Sequence, residues 1–159
     1  MTAPAAPYAG DLGGRDPLAA IRDTANRIAG LARGWAPDRF ERSWAPGKWS
    51  ARQILMHLAQ TELALGNRAR MALATPGYVA QTFDQDAWIA RETRLSGPEA
   101  LATFLALARM NVLFFDGLST ADRATRLSHP DDGELTLDWI IHQMAGHQIH
   151  HLRQLEGID

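Results

Sequence analysis

The sequence predicts an all-α domain, a four-helix bundle with a long crossover between its second and third helices, on three observations. Four stretches carry apolar residues at three- and four-residue steps, each opens on a residue suited to capping a helix, and strand-like alternation is scarce. At 159 residues the chain is long enough to bury one proper core, so a single domain is expected. The organising stretch is the last one, residues 136–156, because it holds His142, His147, His150 and His151 out of six histidines in the chain.

Bulk composition removes several function classes. The formal net charge is −2, from 16 basic and 18 acidic residues, and no face is obviously basic, so nucleic acid is not the expected partner. Cysteine is absent, which excludes disulfides, thiolate ligands and a cysteine nucleophile, and restricts any metal site to nitrogen and oxygen donors. A reducing cytoplasm is compatible with that composition and is the expected compartment. No run approaches the ~20 apolar residues of a spanning helix, so no membrane partner is expected.

Residues 1–14 are rich in alanine, proline and glycine, without the basic start or sustained apolar core of a secretory signal. They are read as a flexible tail ahead of a bundle domain over residues 15–157. The first helix enters through Asp16 as cap and Pro17 at its first position, and its stripe is Leu18, Ile21, Ala25, Ile28 and Leu31. Residues 34–48 hold Trp35, Pro37, Trp44, Pro46 and Gly47, which break helices while supplying apolar surface, and are read as a loop laid over the bundle.

Ser50-Ala51-Arg52-Gln53 is a capping box that opens the second helix, which runs to about Ala74. His57 borders the buried stripe of that helix. Glu62 lies about 140° from His57 on the helical wheel, among apolar residues, where a carboxylate is costly unless paired or metal-linked. It is either ion-paired to an arginine of a neighbouring helix or an acid of the site. Thr75-Pro76-Gly77 ends the helix, and the link that follows, with a short helix near residues 86–92, is long enough for the second and third helices to lie parallel. Asp84 and Asp86 in that link are a helix cap, an oxygen ligand or a base. Ser96-Gly97-Pro98-Glu99 opens the third helix, with Leu101, Phe104, Leu105, Ala108, Val112 and Phe115 inward. Residues 117–133 read as polar and turn-rich, with His129 exposed, and Thr136 caps the last helix.

Positions four apart on a helix sit about 40° apart on one face, so His147 and His151 point together, while His142 and His150 point outward. Inward histidines can simply be hydrogen-bonded core residues. Two at ligand spacing, with His57 as a third from another helix, instead predict three imidazoles around one divalent ion with an open fourth position, the catalytic form of zinc coordination. Water in that position acidifies toward neutrality. Zinc, nickel, iron and manganese all accept such donors.

Two segments carry a family resemblance: Trp49-Ser50-Ala51-Arg52-Gln53-Ile54-Leu55-Met56-His57-Leu58 and Gly146-His147-Gln148-Ile149-His150-His151-Leu152-Arg153-Gln154-Leu155. In their order and separation they resemble the DinB/YfiT-like superfamily of metal-dependent bundle proteins, over roughly residues 16–156. The resemblance implies His57, His147 and His151 as ligands to zinc or nickel, often in a homodimer, and members that include low-molecular-weight thiol S-transferases and a mycothiol-dependent isomerase. Gln53 stands where the pattern often has glutamate, which leaves Glu62, or Asp86, as the acid expected to move protons. The expected activity is thiol S-transfer or related transfer to a small electrophilic substrate, in a pocket walled by Trp44, Trp49 and Trp88. The alternatives are metal-dependent hydrolysis, a metal-binding or stress-related protein without turnover, and histidines that are structural and metal-free.

Overall fold

The computed structural model describes residues 4–159, as α1 (Ala9–Leu12), α2 (Pro17–Ala32), a 3-10 turn (Pro37–Glu41), α3 (Ala51–Ala74), α4 (Gln85–Arg91), α5 (Gly97–Asp116), α6 (Thr120–Arg123), β1 (Arg126–His129), β2 (Gly133–Thr136) and α7 (Leu137–Glu156). The four long helices make the expected bundle. Both α2 and α3 pack on α5 and α7, so the consecutive pair α2 and α3 occupies opposite corners. Gly66 meets Asn111 and Arg70 lies over the Phe114 ring, so contacts advance together along α3 and α5 and the two helices run parallel. Residues 75–96 are the crossover that this requires.

The helix starts follow local chemistry. Asp16 accepts from the Ala19 N–H, Ser50 and Ser96 form complete capping boxes, and Thr136 accepts from the Trp139 N–H. Asp84 accepts from the Ala87 N–H at 2.9 Å, which makes it the cap of α4.

The core divides into two apolar clusters. One is built around Leu65, Val112, Phe115, Ile140 and Met144, the other around Ile54, Leu58, Phe104, Leu152 and Leu155. Between them in chain position on three helices lie buried Glu62, Asn111 and Gln148, a polar layer in an otherwise apolar bundle. Gly66 gives that layer its room, because a Cβ there would run into the Asn111 side chain.

Three expectations are corrected. Residues 1–3 of the supposed tail lie outside the described residues, but the rest of it is laid against α7. Leu12 is buried, Arg153 pairs with Asp11, and the Trp139 Nε1–H donates to the Pro4 carbonyl at 2.7 Å. Residues 117–133 are not merely turns, since β1 and β2 pair antiparallel with Leu127 opposite Leu135, both buried. Four-residue strands are too short for alternation to register. Finally, α5 is by length and composition apolar enough to cross a membrane; it serves here as a bundle helix with Phe104, Ala108 and Phe115 in the core.

Candidate metal centre

The capping box that starts α3 also sets the position of His57. Gln53 Oε1 accepts from the Ser50 N–H at 2.9 Å, and the Ser50 hydroxyl accepts from the Gln53 N–H at 3.3 Å. Gln53 is therefore committed to the cap, a task that glutamine and glutamate perform alike. Two turns on, the His57 ring lies 4.8 Å from Trp49. On α7, His147 and His151 occupy successive turns, and the Tyr8 ring meets His147 edge-on at 5.2 Å. Gly146 permits that approach, because a Cβ there would collide with the Tyr8 carbonyl.

The three predicted ligands converge. His147 Nε2 lies 2.9 Å from His57 Nε2 and 3.0 Å from His151 Nε2, and the residues are 3%, 6% and 6% exposed for His57, His147 and His151. His151 Nδ1–H donates to Gln154 Oε1 at 2.7 Å, which leaves its Nε2 with a lone pair aimed at the other two. A proton on His147 Nε2 can satisfy only one of its two neighbours, so at least one pair of facing lone pairs stays uncompensated unless a cation lies between them. In a tetrahedral zinc site with bonds of about 2.0–2.1 Å, donor nitrogens are roughly 3.3–3.4 Å apart. The observed spacing needs only a slight outward adjustment, so the residues fit a divalent ion.

Electrostatics favour the same reading. Burial, aided by the nearby charge of His151, pushes the His57 pKa down to about 3. Burial carries His147 well below its ordinary value and His151 down to about 4, the latter against the opposing Gln154 hydrogen bond. All three imidazoles are thus neutral near pH 7, the state a metal ligand requires.

The acids fall elsewhere. Glu62, 2% exposed, accepts from Asn111 Nδ2 at 2.8 Å and from Gln148 Nε2. Among the described residues no arginine pairs with it; Arg70 reaches it through Asn111 Oδ1, at 2.8 Å. Burial pushes the Glu62 carboxyl up to about 7, with the Asn111 and Gln148 hydrogen bonds opposing. Asp86 is exposed on α4. Neither carboxylate joins the group of mutually close donors, all within 4.8 Å, that the three histidines form.

The centre opens on a cavity of about 320 Å³ whose wall includes His57, His147, Thr61, Arg68, Gln143 and His129. Tyr8, Phe83 and Trp139 supply its aromatic surface. Of the tryptophans expected to wall the pocket, Trp44 and Trp49 instead border a cleft on the His151 side, and Trp88 lines a neighbouring hollow with Phe83. His129, expected in solvent, is 8% exposed, with its Nδ1 3.1 Å from Asp132 Oδ2. Nothing local in the sequence signals this, because the burial comes from the hairpin folding over the cavity. His142 and His150 are half-exposed and stay outside the triad; the His150 ring lies 5.2 Å from that of His151, and Gln154 Nε2 donates to His150 Nε2 at 3.3 Å.

Gln154 thus fixes the tautomer of one of the three candidate ligands. Replacing it with leucine is expected to weaken metal affinity about 10–100-fold, the usual cost of losing a ligand's outer hydrogen-bond partner. Competition titration with a chromogenic chelator measures this, and unchanged affinity would remove Gln154 from the account.

Comparison with known proteins agrees with this geometry. The sequence pattern of the DinB superfamily matches residues 20–155. An Oceanobacillus iheyensis protein called "Putative metal-dependent hydrolase" is 22% identical over 140 residues, covering 87% of this chain and 81% of its own length. The fold is similar to that of YfiT from Bacillus subtilis, described as "a probable metal-dependent hydrolase with an unusual four-helix bundle topology", with a TM-score of 0.80, 17% identity, and coverage of 88% of this chain and 82% of that one. It is also similar to a mycothiol-dependent maleylpyruvate isomerase, with a TM-score of 0.74 and 14% identity, covering 98% of this chain and 63% of the isomerase.

Proposed function

The chain belongs to the DinB superfamily, and from that premise we propose that it is a metal-dependent hydrolase of a small ester or amide. The observation that carries the reading is the convergence of three neutral Nε2 atoms, within 3.0 Å of their neighbours, at the wall of a cavity. The hydrolase names of the Oceanobacillus iheyensis and Bacillus subtilis proteins support it.

His57, His147 and His151 would hold the ion, and zinc or nickel suits an all-imidazole donor set. When bound, such an ion supplies Lewis acidity and brings the pKa of water toward about 7. The chain's own groups do the rest. Gln154 keeps the His151 lone pair on the centre, and Trp49 and Tyr8 pack the His57 and His147 rings and restrict their rotation. Thr61 Oγ1 and Gln143 Oε1, buried and without a partner among the described residues, border the same cavity and are available to orient a polar substrate group. Glu62, in the polar layer between the core clusters, is assigned to structure rather than to proton transfer.

The test uses protein stripped with a chelator and reloaded with zinc or nickel, against a panel of esters, amides and phosphate esters. Hydrolysis in the loaded protein alone is the expected result; equal rates in the stripped protein would refute the proposal. The second reading is thiol S-transfer, which the fold shared with the mycothiol-dependent isomerase favours. Glutathione, bacillithiol and mycothiol with a model electrophile belong in the same panel. Acceleration there without hydrolysis would replace the first reading with the second, and stoichiometric metal uptake with no turnover in either arm would leave a binding protein.

A further inference from the structure

The cavity holds a feature that a metal centre does not need. Along α3, His57, Thr61, Leu65 and Arg68 follow one another at steps of four, four and three and line one wall. The backbone positions of His57 and Arg68 are about 16 Å apart along the helix axis, so the two residues lie toward opposite ends of that wall. Arg68 is half-buried, and among the described residues no carboxylate lies within 4.0 Å of it; other arginines also lack one, but Arg68 is the arginine that borders this cavity. One of its N–H groups donates to the Gln81 carbonyl, leaving most of its five donors for another acceptor. Thr61, 7% exposed, and Gln143 each present a buried side-chain oxygen with no partner in that same wall.

We infer that the cavity binds a small monocarboxylate, its carboxylate on the Arg68 guanidinium and its apolar body between Tyr8, Phe83 and Trp139. A planar guanidinium fork matches a carboxylate in two parallel hydrogen bonds. A doubly charged phosphate fits less well, because Asp131 and Asp132 border the same cavity and repel the second charge. At about 320 Å³ the space is at the small end of ligand pockets, which suits a metabolite rather than a polymer. The carboxylate site stands independently of the reaction. Placing the scissile carbonyl at the histidine end rests on the hydrolase reading, and the substrate class is then an ester or amide with a carboxylate several bonds away.

The experiment is calorimetric titration of metal-stripped protein with hydrocinnamate, the neutral hydrocinnamamide, and phenyl phosphate. Hydrocinnamate is expected to bind at least about tenfold more tightly than the amide, equivalent to about 1.4 kcal/mol. Arg68→Met should erase that difference and Arg68→Lys should keep part of it, with circular dichroism checking the fold. Should Arg68→Met fail to fold, the intermediate affinity expected of Arg68→Lys carries the test. Equal affinity for acid and amide, no binding of either, or tighter binding of phenyl phosphate overturns the inference. So does carboxylate binding that appears only with metal present and ignores Arg68, since the ion would then be the anion site. Arg68-dependent binding in a protein that hydrolyses nothing would overturn the hydrolase reading alone.

Discussion

Alanine in place of His147 is expected to lower metal affinity by more than about 100-fold, beyond the range that losing an outer hydrogen-bond partner costs, and to abolish any metal-dependent turnover. The size of the effect follows from position. His147 Nε2 lies 2.9 Å from His57 and 3.0 Å from His151, so its removal leaves two donors and no centre between them. The fold should survive, because the wild-type ring already buries an Nδ1 without a partner and the substitution relieves that burden while opening a cavity. Elemental analysis and thermal melting of the stripped and loaded proteins read the two effects separately. His150→Ala, altering a half-exposed ring one turn away, is the control and should keep its metal. Full metal content in the His147 variant would end the three-imidazole account.

Mild acid should unfold the metal-stripped protein far more readily than neutral buffer. An unfolded histidine titrates near 6.5, whereas His57 is lowered to about 3, His151 to about 4 and His147 well below its ordinary value. Their stabilising contribution is complete above pH 6.5 and is lost as the pH falls toward the folded values. At pH 5 the unfolded chain has taken up these protons and the folded chain has not, so each histidine costs roughly 2 kcal/mol, about 6 for the three. Glu62 acts in the opposite sense. Its carboxyl is raised from 4.5 to about 7, so its contribution is full below pH 4.5 and lost as the pH rises through 7. Acidification from pH 7 to 5 therefore returns roughly 2 kcal/mol from Glu62, and the net loss is about 4 kcal/mol. Urea denaturation at the two pH values measures it. The slope should steepen in Glu62→Gln, which removes the offset, and in the loaded protein, where protons compete with the ion. Stability that is flat or rises on acidification would mean that the imidazoles are charged in the fold.

The parts of the molecule legible in sequence are those written locally. Helix starts could be read because a capping box needs only four adjacent residues, and His147 and His151 could be paired because a helix brings positions four apart together. The burden on Glu62 was visible from its neighbours on the helical wheel, but its solution was not, because Asn111 and Gln148 come from two other helices. His129 and Arg68 escaped for the same reason. One is buried by a hairpin of two four-residue strands, and the other acquires meaning only when the crossover and that hairpin close a cavity around it. The segment before α2 reads as a tail on composition, since alanine, proline and glycine give no periodic signal, although Tyr8 and Leu12 suffice to dock it.

That docking has a practical side. Pro4 is held by the Trp139 indole, and Pro7, Tyr8 and Trp139 all border the cavity, so Pro4 is anchored beside it. A polyhistidine leader attached there would bring a string of rival imidazoles within reach of a bound ion, capturing it or filling a coordination position that the three histidines leave open. Metal stoichiometry and binding constants taken on the uncut fusion would then describe the leader as much as the protein, and cleavage should change both.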